Sequence, residues 1–352
     1  MDIAQLLTFT KQAAGSDLHL SAGSPPMIRV HGEMHRLKIP MLSKEEIHHL
    51  IYDIMDDDQK KRFEEFKEID FSRQLGSIAR FRVNIFFNQN GEAAVFRTIP
   101  TKVITAEELK LPPILLELSK RERGIVLVTG PTGSGKSTTL AAMIDYVNKN
   151  KQGHILTIED PIEFQHESIK CLVNQREVGP HTLSFANALR SALREDPDII
   201  LVGELRDLET ISLAMTAAET GHLIFATLHT ASAAKTVDRI IDVFPPEQQS
   251  QIRAMFAESI EGVIAQRLIP RKDGQGRVAA MEIMVGTTAI RNLIREGKTF
   301  QISSIIQTGT EQGMQSMDSA LKKLVNDGLV DPETALTYAF DKKSFKASLG
   351  ML

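Results

Sequence analysis

Apolar residues change their spacing along this chain, and the elements they predict change with them. In the first hundred residues they alternate. The stretches "DLHLS", "PMIRVHGEMHRL" and "ARFRVNIFFNQNGEAAVFRTI" place an apolar residue at nearly every second position, as half-buried strands do. Asn90-Gly91, at the centre of "NQNGE", predicts a hairpin turn in the last of these. Two segments have helical spacing instead. "MDIAQLLTFTKQAA" stops at Gly15, and "SKEEIHHLIYDIM" starts with a capping box in which Ser43 is the cap and Glu46 stands three positions on. Residues 1–99 read as a small α+β domain.

A polar stretch, "PTKVITAEELKLPP" at 100–113, then interrupts the pattern. Its Pro112-Pro113 pair is expected to resist helix and sheet alike, which marks a linker. Beyond it, short continuous apolar runs ("GIVLVTG", "HILTIED", "DIILVGE", "HLIFATLH") alternate with helical segments. Such runs fit strands buried on both faces, so 114–270 is expected to be an α/β domain around a mostly parallel sheet. Residues 271–352 read as mainly helical. There "DPETALTYAF" offers Asp331 as cap, Pro332 at the first helical position and Glu333 in the first turn. "AIRNLIREGKTFQI" carries an apolar stripe of Ile290, Leu293 and Ile294, directs Arg291, Arg295 and Lys298 elsewhere, and ends at Gly297.

With 352 residues, 42% hydrophobic and 24% charged, the chain has the size and composition of a soluble protein of two domains. A net charge of −4 weighs against general nucleic-acid binding, so no nucleic-acid partner is expected. Cys171 is the single cysteine, which excludes an intrachain disulfide and a cysteine-based zinc cluster. The first twenty residues lack the basic start and unbroken apolar core of a secretion signal. No apolar run approaches the ~20 residues of a membrane-spanning helix. A cytosolic location follows as the expectation.

The strongest chemical signal is "GPTGSGKST". Gly130, Pro131, Thr132, Gly133, Ser134, Gly135, Lys136 and Ser137 spell G-x-x-x-x-G-K-S, followed by Thr138, between an apolar strand and a helix. Glycines let backbone N–H groups curl round phosphate oxygens, and the helix N-terminus adds a favourable dipole. Lys136 is placed to reach the β- and γ-phosphates, and the Ser137 hydroxyl to bind Mg2+. An N-K-x-D base-reading motif is absent, so ATP is the expected nucleotide.

Successive parallel strands deliver their C-terminal ends to one edge, where ligands bind. "ILTIEDPIEF" ends there in Glu159 and Asp160, with Glu163 close behind. "DIILVGELRD" ends in Gly203, where an aspartate is usual, and then Glu204. "TGHLIFATLHT" has His222 before its strand and His229 after it. Glu204 can orient and deprotonate an attacking water. Glu159 and Glu163 can fix Mg2+ or its waters, and His229 can sense the γ-phosphate. Arginines that neutralise phosphoryl oxygens can be worth roughly 10³–10⁵ in rate. Candidates are Arg82 and Arg97 on the expected hairpin, and Arg190 and Arg194, one helical turn apart in "ALRSALRED".

These motifs together closely resemble the secretion ATPase superfamily and, within it, the retraction ATPases of type IV pili. The likeness also covers "SDLHLSAGSPPMIRVHGEMHRL" and "AIRNLIREGK". It implies a PAS-like N-terminal domain, a RecA-like P-loop ATPase domain and a helical C-terminal region, assembled as a ring-shaped homohexamer. It implies that Gly203 is the normal residue, that Glu204 is the catalytic base, and that Arg82, Arg97, Arg190 and Arg194 contact nucleotide. It further implies an inner-membrane pilus platform protein as partner, with peripheral association at the cytoplasmic face through that partner. In such motors the "AIRNLIREGK" segment is needed for retraction and not for hydrolysis. Extension and type II secretion ATPases, the first alternative, usually carry a four-cysteine zinc module, which one cysteine cannot build, and a longer N-terminal region. A DNA-translocating motor and a nucleotide-gated adaptor remain alternatives.

Overall fold

Alternation in the first hundred residues builds an antiparallel sheet. The computed structural model describes residues 2–30, 32–76, 79–99 and 103–351. They form two compact units, Met1–Lys102 with Pro161–Phe164, and Val103–Asp160 with Gln165–Leu352. The first unit runs α1 (Ile3–Gln12), β1 (Asp17–Ser21), β2 (Met27–Val30), β3 (Glu33–Arg36), α2 (Lys44–Tyr52), α3 (Asp57–Phe66), β4 (Glu68–Leu75), β5 (Ala79–Asn88) and β6 (Gly91–Ile99). Its strands lie in the order β3-β2-β1-β6-β5-β4, with every neighbour antiparallel. Leu18, Leu20, Phe81, Val83, Ile85 and Phe96 form the apolar side, packed in one core with residues of α1, α2 and α3. The period of two sends Asp17, Arg82 and Arg97 to the other side.

Two details of this unit differ from the sequence expectation. The hairpin turn is centred on Gln89-Asn90, because Asn88 and Gly91 are themselves a paired position. The Asn88 side chain accepts the Asn90 N–H at 2.7 Å, and the positive φ of 119° falls on Gly91, the one turn residue that adopts it without strain. Between the expected elements lie α3, capped by Asp56 and Gln59, and the edge strand β4.

The second unit contains α4 (Pro113–Ser119), β7 (Gly124–Thr129), α5 (Lys136–Asn150), β8 (Gly153–Glu159), β9 (Cys171–Glu177), α6 (Phe185–Ala192), β10 (Ile199–Val202), α7 (Leu208–Glu219), β11 (Leu223–Leu228), α8 (Ala233–Asp242), α9 (Pro246–Ser259), β12 (Ile260–Pro270) and β13 (Arg277–Val285). Five helices come after them: α10 (Thr288–Arg295), α11 (Ile302–Thr308), α12 (Met317–Asn326), α13 (Pro332–Tyr338) and α14 (Lys342–Ser348). Seven strands lie in the order β13-β12-β7-β11-β10-β8-β9, parallel throughout except for the β12–β13 hairpin at the edge. Cores fill both faces of the sheet, one around Val126, Leu140 and Phe225, the other around Leu127, Ile200 and Ile224. This is the RecA-like arrangement.

Pro112 and Pro113 do not hold helix off. Pro113 opens α4 with Pro112 as its cap, the one helical position where a missing N–H costs nothing. Residues 100–102 of the expected linker lie outside the described residues. The boundary expected at 270/271 falls in the turn region of the β12–β13 hairpin, so the C-terminal region begins with a strand of the main sheet. Arg291, expected to point away, is partly buried. It donates to the carbonyls of Gly286 and Ala257 at 2.8 Å and pairs with Glu261 at 2.7 Å, fastening α10 to the α9–β12 junction. Cys171 is buried, its thiol donates to the Lys151 carbonyl at 3.0 Å, and burial pushes its pKa up. Among the described residues no helix is long and apolar enough to cross a membrane.

The capping box of α2 is formed on both sides: the Ser43 hydroxyl accepts the Glu46 N–H at 3.1 Å, and Glu46 accepts the Ser43 N–H at 2.7 Å. Ser43→Ala is expected to cost about 1 kcal/mol, read as a lower urea midpoint for the first unit with an unchanged slope.

Candidate active site

Buried β7 leads into the phosphate loop, and three glycines shape it. Gly130, Gly133 and Gly135 have φ of 142°, 76° and 85°, a region other residues rarely enter. Gly135 is the N-cap of α5 and offers no side-chain acceptor to the first-turn N–H groups. A helix N-terminus without a side-chain cap, fed by a glycine loop, is an anion site. Lys136 is largely buried. Its Nζ donates to the Gly130 carbonyl at 2.9 Å and the Pro131 carbonyl at 3.1 Å, which curls the side chain along the inside of the loop. Ser137 and Thr138 come next in the first turn, half-buried, while Pro131, Thr132 and Gly133 are exposed.

The strand register explains Gly203. Its N–H donates to the Ile158 carbonyl on β8 at 2.7 Å, and its carbonyl accepts the Thr227 hydroxyl from β11 at 2.5 Å. A Cβ at 203 would stand 3.2 Å from the Ile158 oxygen and 3.3 Å from the Glu159 Cα. The tip of β10 is thus pinned on both sides, a side chain at 203 would require its backbone neighbours to give by a few tenths of an ångström, and Glu204 is the first side chain to leave it.

Glu204 and His229 meet. One carboxylate oxygen of Glu204 lies 3.3 Å from His229 Nε2, the other 2.8 Å from the Arg206 guanidinium. His229 Nδ1 in turn lies 3.5 Å from Lys136 Nζ. A lysine ammonium only donates, so this contact selects the tautomer with Nδ1 as acceptor and Nε2–H directed at Glu204. Burial pushes the Glu204 carboxyl up, but the hydrogen bond and charge of Arg206, followed by the contact with His229, outweigh it and hold the group below the ordinary glutamate range. Lys136, His229 and Glu204 therefore form one row from the phosphate loop to the tip of β10.

Other candidates are placed differently. Glu159 accepts from Thr157 at 2.6 Å and from Gln175 at 3.2 Å, so it is tied to β8 and β9. Asp160 beside it acts on Arg206 through its charge. Glu163 is exposed and lies in the Pro161–Phe164 segment that groups with the first unit. His222 faces the Ala217 carbonyl at 2.9 Å, a local bond at the opposite end of β11. Arg190 pairs with Glu209 at the start of α7. The expectation that Arg190 and Arg194 share a helix face does not hold, since α6 ends at Ala192 and exposed Arg194 sits in the turn beyond.

Arg82 and Arg97 are a directly opposed pair on β5 and β6, so both stand on the polar face of the first sheet. Each already holds a carboxylate: Arg82 binds Asp70 at 2.5 Å, and Arg97 binds Asp17 at 2.8 Å. Burial pushes the Asp17 carboxyl up, but the Ser16 hydroxyl and then Arg97 outweigh it and hold it low. Among the described residues no three His, Cys, Asp or Glu side chains converge as a metal-binding group. Sequence reasoning assigned no role to Arg206 or to Gln266. Gln266 is buried on β12, donates to the Ser134 carbonyl at 2.6 Å and accepts from Thr139 at 2.7 Å.

Residues 5–336 match the type II/IV secretion system protein family. The chain belongs to that family. It is 63% identical over 335 residues to the type IV pilus retraction ATPase PilT of Pseudomonas aeruginosa, covering 95% of this chain and 97% of that one. It is 58% identical over 319 residues to a twitching motility protein of Neisseria gonorrhoeae, covering 91% and 85%. In structure it matches the crystal structure of the pilus retraction motor PilT with bound ADP, with a TM-score of 0.91, 47% identity and 98% coverage of both chains.

Because a Cβ at 203 would crowd the backbone of Ile158 and Glu159, Gly203→Asp is expected to overpack the β8–β10 junction. A cost of about 1–3 kcal/mol, seen as a lower Tm for the second unit, is the predicted result.

Proposed function

We propose that this protein is an ATP-hydrolysing motor that drives retraction of type IV pili. The observation that carries the reading is the extended identity to PilT, along nearly the whole of both chains, joined to an intact phosphate loop with Glu204 held in line with it. Several parts of the chain divide the chemistry.

Backbone N–H groups of 132–138 and the α5 N-terminus bind the phosphates. Lys136 exchanges the Gly130 and Pro131 carbonyls for β- and γ-phosphate oxygens. Ser137, in the first turn of α5, would hold Mg2+, and Glu159 and Glu163 would act on its water shell. When bound, Mg2+ neutralises charge on the phosphates. Glu204, kept ionised by Arg206, accepts a hydrogen bond from the attacking water and takes its proton. His229 reports the γ-phosphate from its position between Lys136 and Glu204.

Phosphoryl transfer asks the protein for positioning and charge more than for covalent steps. Arg82 and Arg97 supply that charge by exchanging Asp70 and Asp17 for phosphate oxygens, and Arg190 and Arg194 add contacts to the nucleotide. The working assembly is a homohexamer. It acts on an inner-membrane platform protein from the cytoplasmic face, and nucleotide-driven closure of its two domains becomes pilus disassembly.

Steady ATP turnover by purified protein separates this reading from that of a nucleotide-gated adaptor. Glu204→Ala is expected to lower kcat by about 10²–10⁴ while an ADP analogue still binds, and to abolish twitching in a complemented strain. Undiminished phosphate release by that variant would remove Glu204 from its role.

Arg206→Ala tests the electrostatics. A depressed carboxyl pKa keeps Glu204 ionised as pH falls, so loss of the arginine lets it protonate earlier. The acid limb of the kcat/KM profile is expected to move toward neutral pH, and an unmoved limb would contradict this role.

A further inference from the structure

The β12–β13 hairpin carries two buried polar side chains that the chemistry above does not use. Gln266 and Glu282 are each enclosed in an otherwise apolar run. Glu282 pairs in register with Ala265, the neighbour of Gln266, so alternation sends the two side chains to opposite faces of the sheet.

On one face Gln266 spans the phosphate loop, from the Ser134 carbonyl to the Thr139 hydroxyl. A peptide unit is planar and trans, so its C=O and N–H point in opposite directions. Holding the Ser134 carbonyl against Gln266 Nε2 therefore turns the Gly135 N–H away from Gln266. The contact is close at both ends of the loop. A Cβ at 130 would collide with the Gln266 carbonyl, and one at 135 would stand 2.8 Å from Gln266 Nε2. Gly130 is thus required by the hairpin backbone as well as by any phosphate, while at 135 the crowding falls on the end of the Gln266 side chain.

On the other face the Glu282 carboxylate accepts the N–H of Ala233 at 2.7 Å and a second N–H from Met317. These are the first residues of α8 and α12. Four positions separate His229 from Ala233, so the carboxylate fixes where the His229 segment enters its helix. The same carboxylate anchors α12, part of the C-terminal helical region.

We propose that Gln266 and Glu282 are positioning residues, the first orienting the phosphate loop and the second the segment that carries His229, so that one hairpin sets both sides of the site. This rests on the nucleotide-binding reading of the loop.

Full-length protein with a fluorescent ADP analogue tests it. Gln266→Glu keeps the shape and the acceptor for Thr139 but sets an oxygen against the Ser134 carbonyl. Its Kd for the analogue is expected to rise about tenfold or more. Thr139→Ala, which introduces no buried charge, is expected to raise it several-fold with Tm lowered by only a few degrees. Glu282→Gln retains one acceptor and turns an NH2 toward the second N–H. It is expected to lower kcat about tenfold with the analogue's Kd within twofold of wild type. Wild-type affinity in both Gln266→Glu and Thr139→Ala, or equal losses of kcat and affinity in Glu282→Gln, would overturn the proposal. Wild-type protein that fails to bind the analogue would overturn the nucleotide reading beneath it.

Discussion

Because β10 pairs in parallel with β8 on one side and β11 on the other, Val202 lies level with Ile158 and Ala226, and the three strand tips emerge at one edge. Every feature of the site depends on that register. A slip of one residue in β10 would carry Glu204 to the opposite face of the sheet. The register is secured locally by the bonds that the Gly203 backbone makes to both neighbouring strands. The glycine that interrupts an apolar strand just before its carboxylate relieves crowding against Ile158 and Glu159 at the point where the carboxylate leaves the strand.

Electrostatics then act on the positions the sheet provides. Glu204 stands between a guanidinium and an imidazole, and the imidazole is oriented by the loop lysine. Burial alone would favour the neutral carboxylic acid. Two cationic or donating neighbours reverse that preference, so the group is a standing acceptor. The arginines of the first unit show the same logic in another setting, each matched to a carboxylate on a neighbouring strand.

Much of this was legible in the amino-acid order. The phosphate loop could be read because its glycines, lysine and serine have a fixed spacing between an apolar strand and a helix. The strand tips could be read because continuous apolar runs end abruptly in charged residues. α3 was hidden because Phe63 is its only buried residue, which leaves no apolar period to detect. β13 was hidden in a region dominated by helices. Pro112-Pro113 is ambiguous in sequence because proline opposes a helix interior and suits its first turn. Gln266 and Glu282 carried a usable signal: each is a polar residue within an apolar run, in "VIAQRLI" and "AAMEIMV", and a buried polar group needs a partner. Spacing cannot supply the identity of that partner, since Ser134 and Gln266 are 132 positions apart.

The lone thiol of Cys171 has a practical consequence. Enclosed, hydrogen-bonded to a carbonyl and disfavoured from ionising, it offers little thiolate for alkylation. The chain thus arrives as a quiet background for spectroscopy. A cysteine introduced on an exposed surface would be the dominant reactive site, and a pair of them could carry a donor and acceptor dye for single-molecule distance measurements.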